Sequence, residues 1–363
     1  MATKRLENID GLRAIAALSV LVQHMFGDML RYPGVESTVL YPYVSTWVHN
    51  FDLGRFGVVL FFLISGFVVP FSIKGEKPLR RFAISRFFRL YPALWLAIAA
   101  LTALFWYRGN MPAVSTILAN MTMAPALFGK TWLSEIYWTL FIELVFYFLI
   151  ASLFAIKRLY DYRTVFALGM LLVASTAFPV LLRINHVAEL PVQYIGLHVS
   201  FLFSGLLLRF SIIDKRPRAG LCALCLLGLQ LVTIFSLSDF SLLRNDGFVL
   251  ISGQAILAAY IAAIILFITA AVTLRPHSET LAATGQISYS IYLFHWLVCS
   301  FIYSQLPLTG EWRSLAIMML CIVATLIVSS AVYNLVEKPM QALGKYIVNI
   351  YSRTNMRPVR LSS

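Results

Sequence analysis

Residues 11–30 read GLRAIAALSVLVQHMFGDML. Small and aliphatic side chains fill most of this run, and about 20 such residues span the hydrocarbon core of a bilayer. Arg13 stands near its start and the Gln23–His24 pair toward its end. An ionisable group inside a membrane helix is costly and by default marks a functional site. His24 is therefore the candidate centre of an active site.

The rest of the chain fits a lipid environment. Of its 363 residues 60% are hydrophobic and 12% charged, with a mean hydropathy of +0.80. Soluble domains have about 45–50% apolar and about 25% charged residues. The expected fold class is all-α, a polytopic membrane protein. Ten apolar runs are long enough to cross: 11–30, 56–73, 90–107, 138–156, 164–183, 194–213, 219–237, 249–273, 287–306 and 313–336. The segment 113–128 is shorter and mixed, a re-entrant or interfacial piece.

Ten crossings put both termini on one side. With that side cytoplasmic, the outer connections take only Arg31, Arg55, Arg108, Lys130, Arg183, Arg244 and Arg313 of the 29 Lys and Arg. Cytoplasmic loops collect basic residues, which accounts for the net charge of +13 without nucleic acid. Lys4 and Arg5 precede a run too long for a cleavable signal peptide and without a small-x-small exit site. The cysteines Cys222, Cys225, Cys299 and Cys321 fall in apolar runs and lack the partners of a zinc site, so no metal is expected. No internal repeat is visible. Residues 1–340 form one membrane domain, and 341–363 a short basic cytoplasmic tail.

Topology allows depths to be compared. His24 lies six residues before the outer end of its run, about 9 Å deep, and Glu143 five residues after Trp138, about 7–8 Å deep. A carboxylate beside a His orients the ring and favours its charged form, so the two are expected to pair. In RRFAISRFFRLYP (80–92), Arg86 and Arg89 share one helix face. Guanidinium forks match phosphate oxygens, although a membrane anchor or phospholipid clamp accounts for such a pair as well. In ISYSIYLFHWLV (287–298), His295 lies near mid-membrane, with Tyr289 and Tyr292 on the way. They line a pocket or form a polar contact between helices. Ser65-Gly66 permits close approach of a helix or a narrow acyl chain. Glu337-Lys338-Pro339 ends the last run, and Asp10 reads as the N-cap of the first. The outer connections 31–55 and 108–137 carry Tyr41, Tyr43, Trp47, Trp132, Tyr137 and, at the edge, Trp138. These form an interfacial belt or shape the mouth of a site suited to sugar rings.

The order NIDGLRAIAALSVLVQHMF, RFGVVLFFLISGFVVPFS, RRFAISRFFRLYPALW, YWTLFIELVFYF, ISYSIYLFHWLV and NLVEKPM resembles the acyltransferase-3 family of integral membrane acyltransferases, in register from about residue 6 to about residue 340. The resemblance implies a ten-helix enzyme that moves an acyl group, usually acetyl, from cytoplasmic acyl-CoA to a hydroxyl of a carbohydrate such as O-antigen, exopolysaccharide, peptidoglycan or Nod factor. Some relatives act on macrolides or transfer succinyl. The family's first-helix His and Arg fall on His24 and Arg13, its Arg-x-x-Arg on Arg86 and Arg89, and its fourth-helix Glu on Glu143. Trp138 matches the family's Trp, with Thr139 where Ser is commoner.

The resemblance thus implies acetyl-CoA as donor, bound by Arg86, Arg89 and Arg13, with His24 as general base held by Glu143. Direct transfer is preferred to an acyl-histidine intermediate. Ser65, Tyr292, His295 and Trp138 are candidate pocket residues. A bacterial inner membrane is the expected location, with membrane lipid around the chain and no fused SGNH domain. A glycolipid transporter or flippase is the competing class; it would show repeat symmetry and broken helices at matching positions, and neither is visible.

Overall fold

In lipid a backbone N–H or C=O finds no partner outside its own segment, so each apolar run becomes a helix. The computed structural model describes residues 2–185, 194–244, 252–273 and 278–354. Arg275, Arg357, Arg360 and the tail from residue 355 lie outside the described residues. The helices are α1 (Ala2–Leu30), α2 (Tyr41–Asn50), α3 (Leu53–Val68), α4 (Pro78–Tyr107), α5 (Val114–Met121), α6 (Trp138–Ala155), α7 (Tyr162–Ser175), α8 (Ala177–Ile184), α9 (Ile195–Ile212), α10 (Pro217–Arg244), α11 (Gly253–Val272), α12 (Glu279–Gln286), α13 (Ser288–Tyr303), α14 (Arg313–Val332) and α15 (Lys338–Thr354). No strand occurs among the described residues.

Nine helices among the described residues are long and apolar enough to cross a membrane. The run expected at 287–306 is not one of them, because α13 has only 16 residues, about 24 Å at ~1.5 Å per residue. Its direction restores the tenth crossing. The Asp10 carbonyl of α1 lies against Gly285, and His24 lies 5.3 Å from His295 between ring centroids, so α12 and α13 together run parallel to α1. Tyr289 donates to the Leu90 carbonyl (2.9 Å) and Arg108 to the Ser300 carbonyl (2.6 Å), so they also run parallel to α4. First, third and ninth crossings must share a direction, and these do.

The core of the bundle is α3, packed between α1 and α9. Phe62 lies beside His198, and the Phe67 carbonyl accepts from Arg209 (3.2 Å), so α3 and α9 are parallel. They cross where Gly66 meets the Leu202 backbone carbonyl and Gly205 meets that of Leu63. Of the two occupants the sequence allows beside Gly66, a helix takes the place. Asp52 caps α3 by accepting from the Arg55 N–H (2.8 Å), and Gln23 accepts from the Leu53 N–H (3.0 Å). Gln23 is thus a cap supplied by α1 to its neighbour.

Segment 113–128 is re-entrant. Trp95 donates to the Met121 carbonyl (3.0 Å) and Tyr91 to that of Thr122 (3.3 Å). Tyr91 lies sixteen residues before the end of α4 at Tyr107, about 24 Å along the helix. Non-helical backbone at that depth needs internal partners. Buried Asn120 supplies them, donating to the Thr116 and Thr131 carbonyls (both 2.9 Å) and accepting from the Leu133 N–H (3.0 Å). The chain therefore enters α6 from inside the bundle.

Two helix ends differ from expectation. α1 begins at Ala2, so Asp10 is no N-cap; its carboxylate pairs with Arg13 one turn on (2.9 Å). The last crossing does not stop at Pro339. A π-turn over Tyr333–Glu337 absorbs the irregularity, and α15 continues to Thr354, packed on α4 where Gly344 meets Phe88. A proline in the first turn of a segment lacks only an N–H that has no helical partner there. Residues 341–354, the start of the expected basic tail, are thus helical.

The α3–α9 crossing yields a direct test. Gly66→Ala drives a methyl into the Leu202 carbonyl, and overpacking of this kind costs about 1–3 kcal/mol. Thermal unfolding in detergent should shift down by several degrees, whereas Gly109→Ala, beside open space but at positive φ, should cost less. Equal melting of Gly66→Ala and wild type would refute the close crossing.

Candidate active site

The basic end of the bundle holds a cavity of about 130 Å³, lined by residues of α1, α3, α4, α6 and α13. Arg13, Arg86, Arg89, Glu143, Ser65 and Tyr292, six of the residues singled out in the sequence, all face it. The elements that carry them explain the convergence. Arg86 and Arg89 sit one turn apart on α4, Glu143 on α6 and Ser65 on α3. Arg13 comes from α1, and α13 brings Tyr289 and Tyr292.

Charge in the cavity is only partly matched. Arg13 pairs with Asp10. Glu143 accepts from Tyr147, one turn along α6, and from Ser65 (3.5 Å). Arg86 lies over the rings of Phe82 (5.6 Å) and Tyr147 (5.7 Å), and its Nε is buried without a hydrogen-bond partner. Among the described residues neither Arg86 nor Arg89 has a carboxylate within 4 Å. A half-buried guanidinium without a counterion is expensive, and an anionic ligand removes that expense.

Glu337 is a residue that the sequence reading assigned to a helix end. It is 3% exposed, accepts from Ser290 and lies in the field of Arg89. A carboxylate directly after the last apolar run reads as a boundary. The signal that could have flagged it is the Asn334-to-Glu337 interruption in an otherwise continuous helix, since π-turns cluster at functional sites.

The expected His24–Glu143 pair does not form. Glu143 spends its hydrogen bonds on Tyr147 and Ser65 and faces the cavity with Arg13, eleven residues before His24 on α1. The depth estimate assumed that α6 starts at the outer surface. Because 113–128 is re-entrant, α6 starts level with Tyr292, whose hydroxyl donates to the Ile136 carbonyl (2.7 Å) and contacts that of Thr139 (2.6 Å). Glu143, a further turn along, belongs to the basic end.

His24 instead lies beside His295, with ring centroids 5.3 Å apart and planes tilted by 41°. Neither histidine lines the cavity. Tyr292 joins the two regions, since it lines the cavity and lies 6.0 Å from His295 between centroids. Phe61, also at the cavity wall, packs edge-on against Tyr292 at 5.9 Å. Trp138 does not reach the cavity either. Its ring lies 4.7 Å from that of buried His198, tilted by 50°, with the Arg55 guanidinium over it at 5.7 Å.

A second cavity of about 650 Å³ opens farther toward the basic end. Lys77, Arg80 and Lys157 stand around it, with Leu79, Phe154 and Tyr160 as apolar wall. It follows the same two helices as the first: Arg80 precedes Arg86 on α4 by six residues, and Phe154 follows Glu143 on α6 by eleven. Among the described residues no cluster of His, Cys, Asp and Glu has the makings of a metal site.

The chain matches the family model described as an acyltransferase domain over residues 6–334. It is 28% identical over 177 residues to nodulation protein 10 of Rhizobium leguminosarum bv. viciae, a match covering 42% of this chain and 45% of that protein. The match therefore spans less than half of that relative. No solved structure matches. With nine membrane-length helices among the described residues and a family match that runs nearly end to end, the chain belongs to the acyltransferase-3 family of membrane acyltransferases.

Proposed function

We propose that this protein transfers an acyl group, most simply acetyl, from cytoplasmic acyl-CoA to a hydroxyl of a cell-surface or exported carbohydrate, in a bacterial inner membrane. The observation that carries the donor half is the pair Arg86 and Arg89, half-buried beside a cavity and without a carboxylate within 4 Å. Polyanions satisfy such groups. The carbohydrate acceptor and the acetyl donor rest on the family resemblance.

The two cavities divide the donor. Ligand pockets have volumes of about 300–1,000 Å³, so the cavity of about 650 Å³ with its three cations suits the nucleotide. The narrower one suits the pantetheine arm and thioester, with Arg86 and Arg89 near the diphosphate end and Arg13 deeper. Glu143 and Ser65 line the path of the arm. Past Tyr292 the thioester reaches His24, and the acceptor arrives from the other side.

At His24 the acceptor hydroxyl attacks the thioester carbonyl. A carbon–oxygen bond forms, the carbon–sulfur bond breaks, and the hydroxyl proton passes to His24 and then to the departing thiolate. His24 thus serves as general base and then as general acid. In the same reading Glu143 tunes the donor pocket rather than holding the histidine.

Three variants test this assignment. His24→Ala should abolish O-acyl groups on surface glycans, read by mass spectrometry, while the protein still inserts; retained acylation would remove His24 from the reaction. Arg86→Ala loses charge-assisted hydrogen bonds worth about 1.5–3 kcal/mol and should raise the KM for acetyl-CoA by about 10–100-fold. Lys77→Ala combined with Lys157→Ala should raise the KM for acetyl-CoA but leave acetyl-pantetheine, which has no nucleotide, unaffected. An equal effect on both donors would place the nucleotide elsewhere.

A further inference from the structure

His295 is fully buried on α13, and its two ring nitrogens have different fates. Nδ1 lies 3.1 Å from the Ile291 carbonyl. A carbonyl only accepts, so Nδ1 carries the proton and Nε2 presents a lone pair. That Nε2 is buried and has no hydrogen-bond partner. The rings around His295 are Tyr292, whose hydroxyl is committed to Ile136 and Thr139, and His24. A histidine kept only to bond a carbonyl one turn back would have no use for a second, unpaired nitrogen.

We propose that His295 is the positioning residue for His24, accepting a hydrogen bond from the His24 ring at the moment that ring becomes an imidazolium. This rests on the acyl-transfer reading and deepens it. Ring centroids 5.3 Å apart, with nitrogens roughly 1 Å out from each centroid, bring facing nitrogens to about 3 Å, hydrogen-bond distance. In the resting structure the rings are tilted by 41° and the bond is not made; a turn of the His24 side chain makes it. One His24 nitrogen takes the acceptor's hydroxyl proton. The other, already N–H in the neutral ring, donates to Nε2 of His295, and that bond tightens as the ring becomes charged.

The proton balance is simple. His295 gains no proton and loses none; it fixes which His24 nitrogen faces the acceptor and spreads the positive charge. The hydroxyl proton leaves His24 for the thiolate, giving CoA thiol and acyl ester. A carboxylate in this role, as in the serine-hydrolase triad, adds a full charge to the hydrogen bond that holds the imidazolium. A neutral acceptor stabilises it without trapping it, and Glu143, engaged with Tyr147 and Ser65, is unavailable for the task.

The experiment uses the full chain in lipid nanodiscs, with acetyl-CoA as donor and glycolipid extract from the source cell as acceptor. His295→Phe keeps the ring volume and removes both nitrogens. Its turnover should fall about 100-fold, within the range of general acid–base effects, with the KM for acetyl-CoA unchanged. His295→Gln, whose amide oxygen takes the place of Nε2, should recover to within about tenfold of wild type.

Nitrogen-15 spectra of histidine-labelled protein supply a readout free of activity: His24→Ala should shift the His295 Nε2 signal, and His295→Gln the His24 signals. A His295→Phe enzyme as fast as wild type, or Gln and Phe variants equally slow with a raised KM, would overturn the proposal. An unshifted His295 signal in His24→Ala would do the same. Wild-type protein that transfers no acetyl group, with the spectral coupling intact, would refute the acyl-transfer reading and leave the histidine pair standing.

Discussion

The parallel contact of α1 with α12 and α13 is the constraint on which the site depends. It is set low in the bundle, where Gly285 lets α12 settle against the Asp10 carbonyl, a spot with no room for a Cβ. From there the two segments run side by side, and four side chains meet in consequence. Arg13 and Tyr289 face one cavity, and His24 and His295 face each other roughly three turns farther on. The α3–α9 crossing at Gly66 holds the opposite wall and presents Ser65 to Glu143. Small residues do in lipid what a large apolar core does in water: they let backbones approach until dispersion and hydrogen bonds hold them.

Electrostatics then divides the molecule into two regions. The basic end has guanidinium groups in excess of their partners, and the far end sets two imidazoles against each other, with Asp28, one turn on from His24, paired with Arg31 (3.5 Å). In the proposed reaction the charged donor binds where charge is already expensive and unmatched, and the proton moves at the imidazoles. Tyr292 touches both regions, with its hydroxyl fixed by the Ile136 carbonyl in the link between the re-entrant segment and α6. That segment, anchored by Asn120, thus positions both the start of α6 and the ring between the two regions.

How much of this was legible in the sequence follows from what lipid penalises. The crossings are legible because each writes a long apolar run; His24 stands out because an ionisable group in such a run is costly, and Arg86 and Arg89 because they share one helix face at the entrance to a run. Even the run at α13 is legible, although its helix has only 16 residues. Depth was misjudged for one reason. The sequence does not show how deep segment 113–128 returns into the bundle, and without that depth Trp138 falls at the surface and Glu143 level with His24. Partnerships between helices were not legible either. Gln23 adjoins His24 in sequence yet caps α3, while Glu337 looks like a helix end yet bonds Ser290 inside the bundle.

The central claim is that the acyl group travels from the arginine end, past Tyr292, to the histidine pair. The most direct measurement is a cryo-electron microscopy structure of the wild-type protein in nanodiscs with an unreactive thioether analogue of acetyl-CoA. The account predicts the nucleotide among Lys77, Arg80 and Lys157 and the arm between Arg86 and Glu143. The acyl end should lie past Tyr292, close enough to His24 for a hydroxyl to fit between at about 3–3.5 Å from the acyl carbon. An analogue whose acyl end stops short among the arginines, or enters from the histidine side, would contradict it.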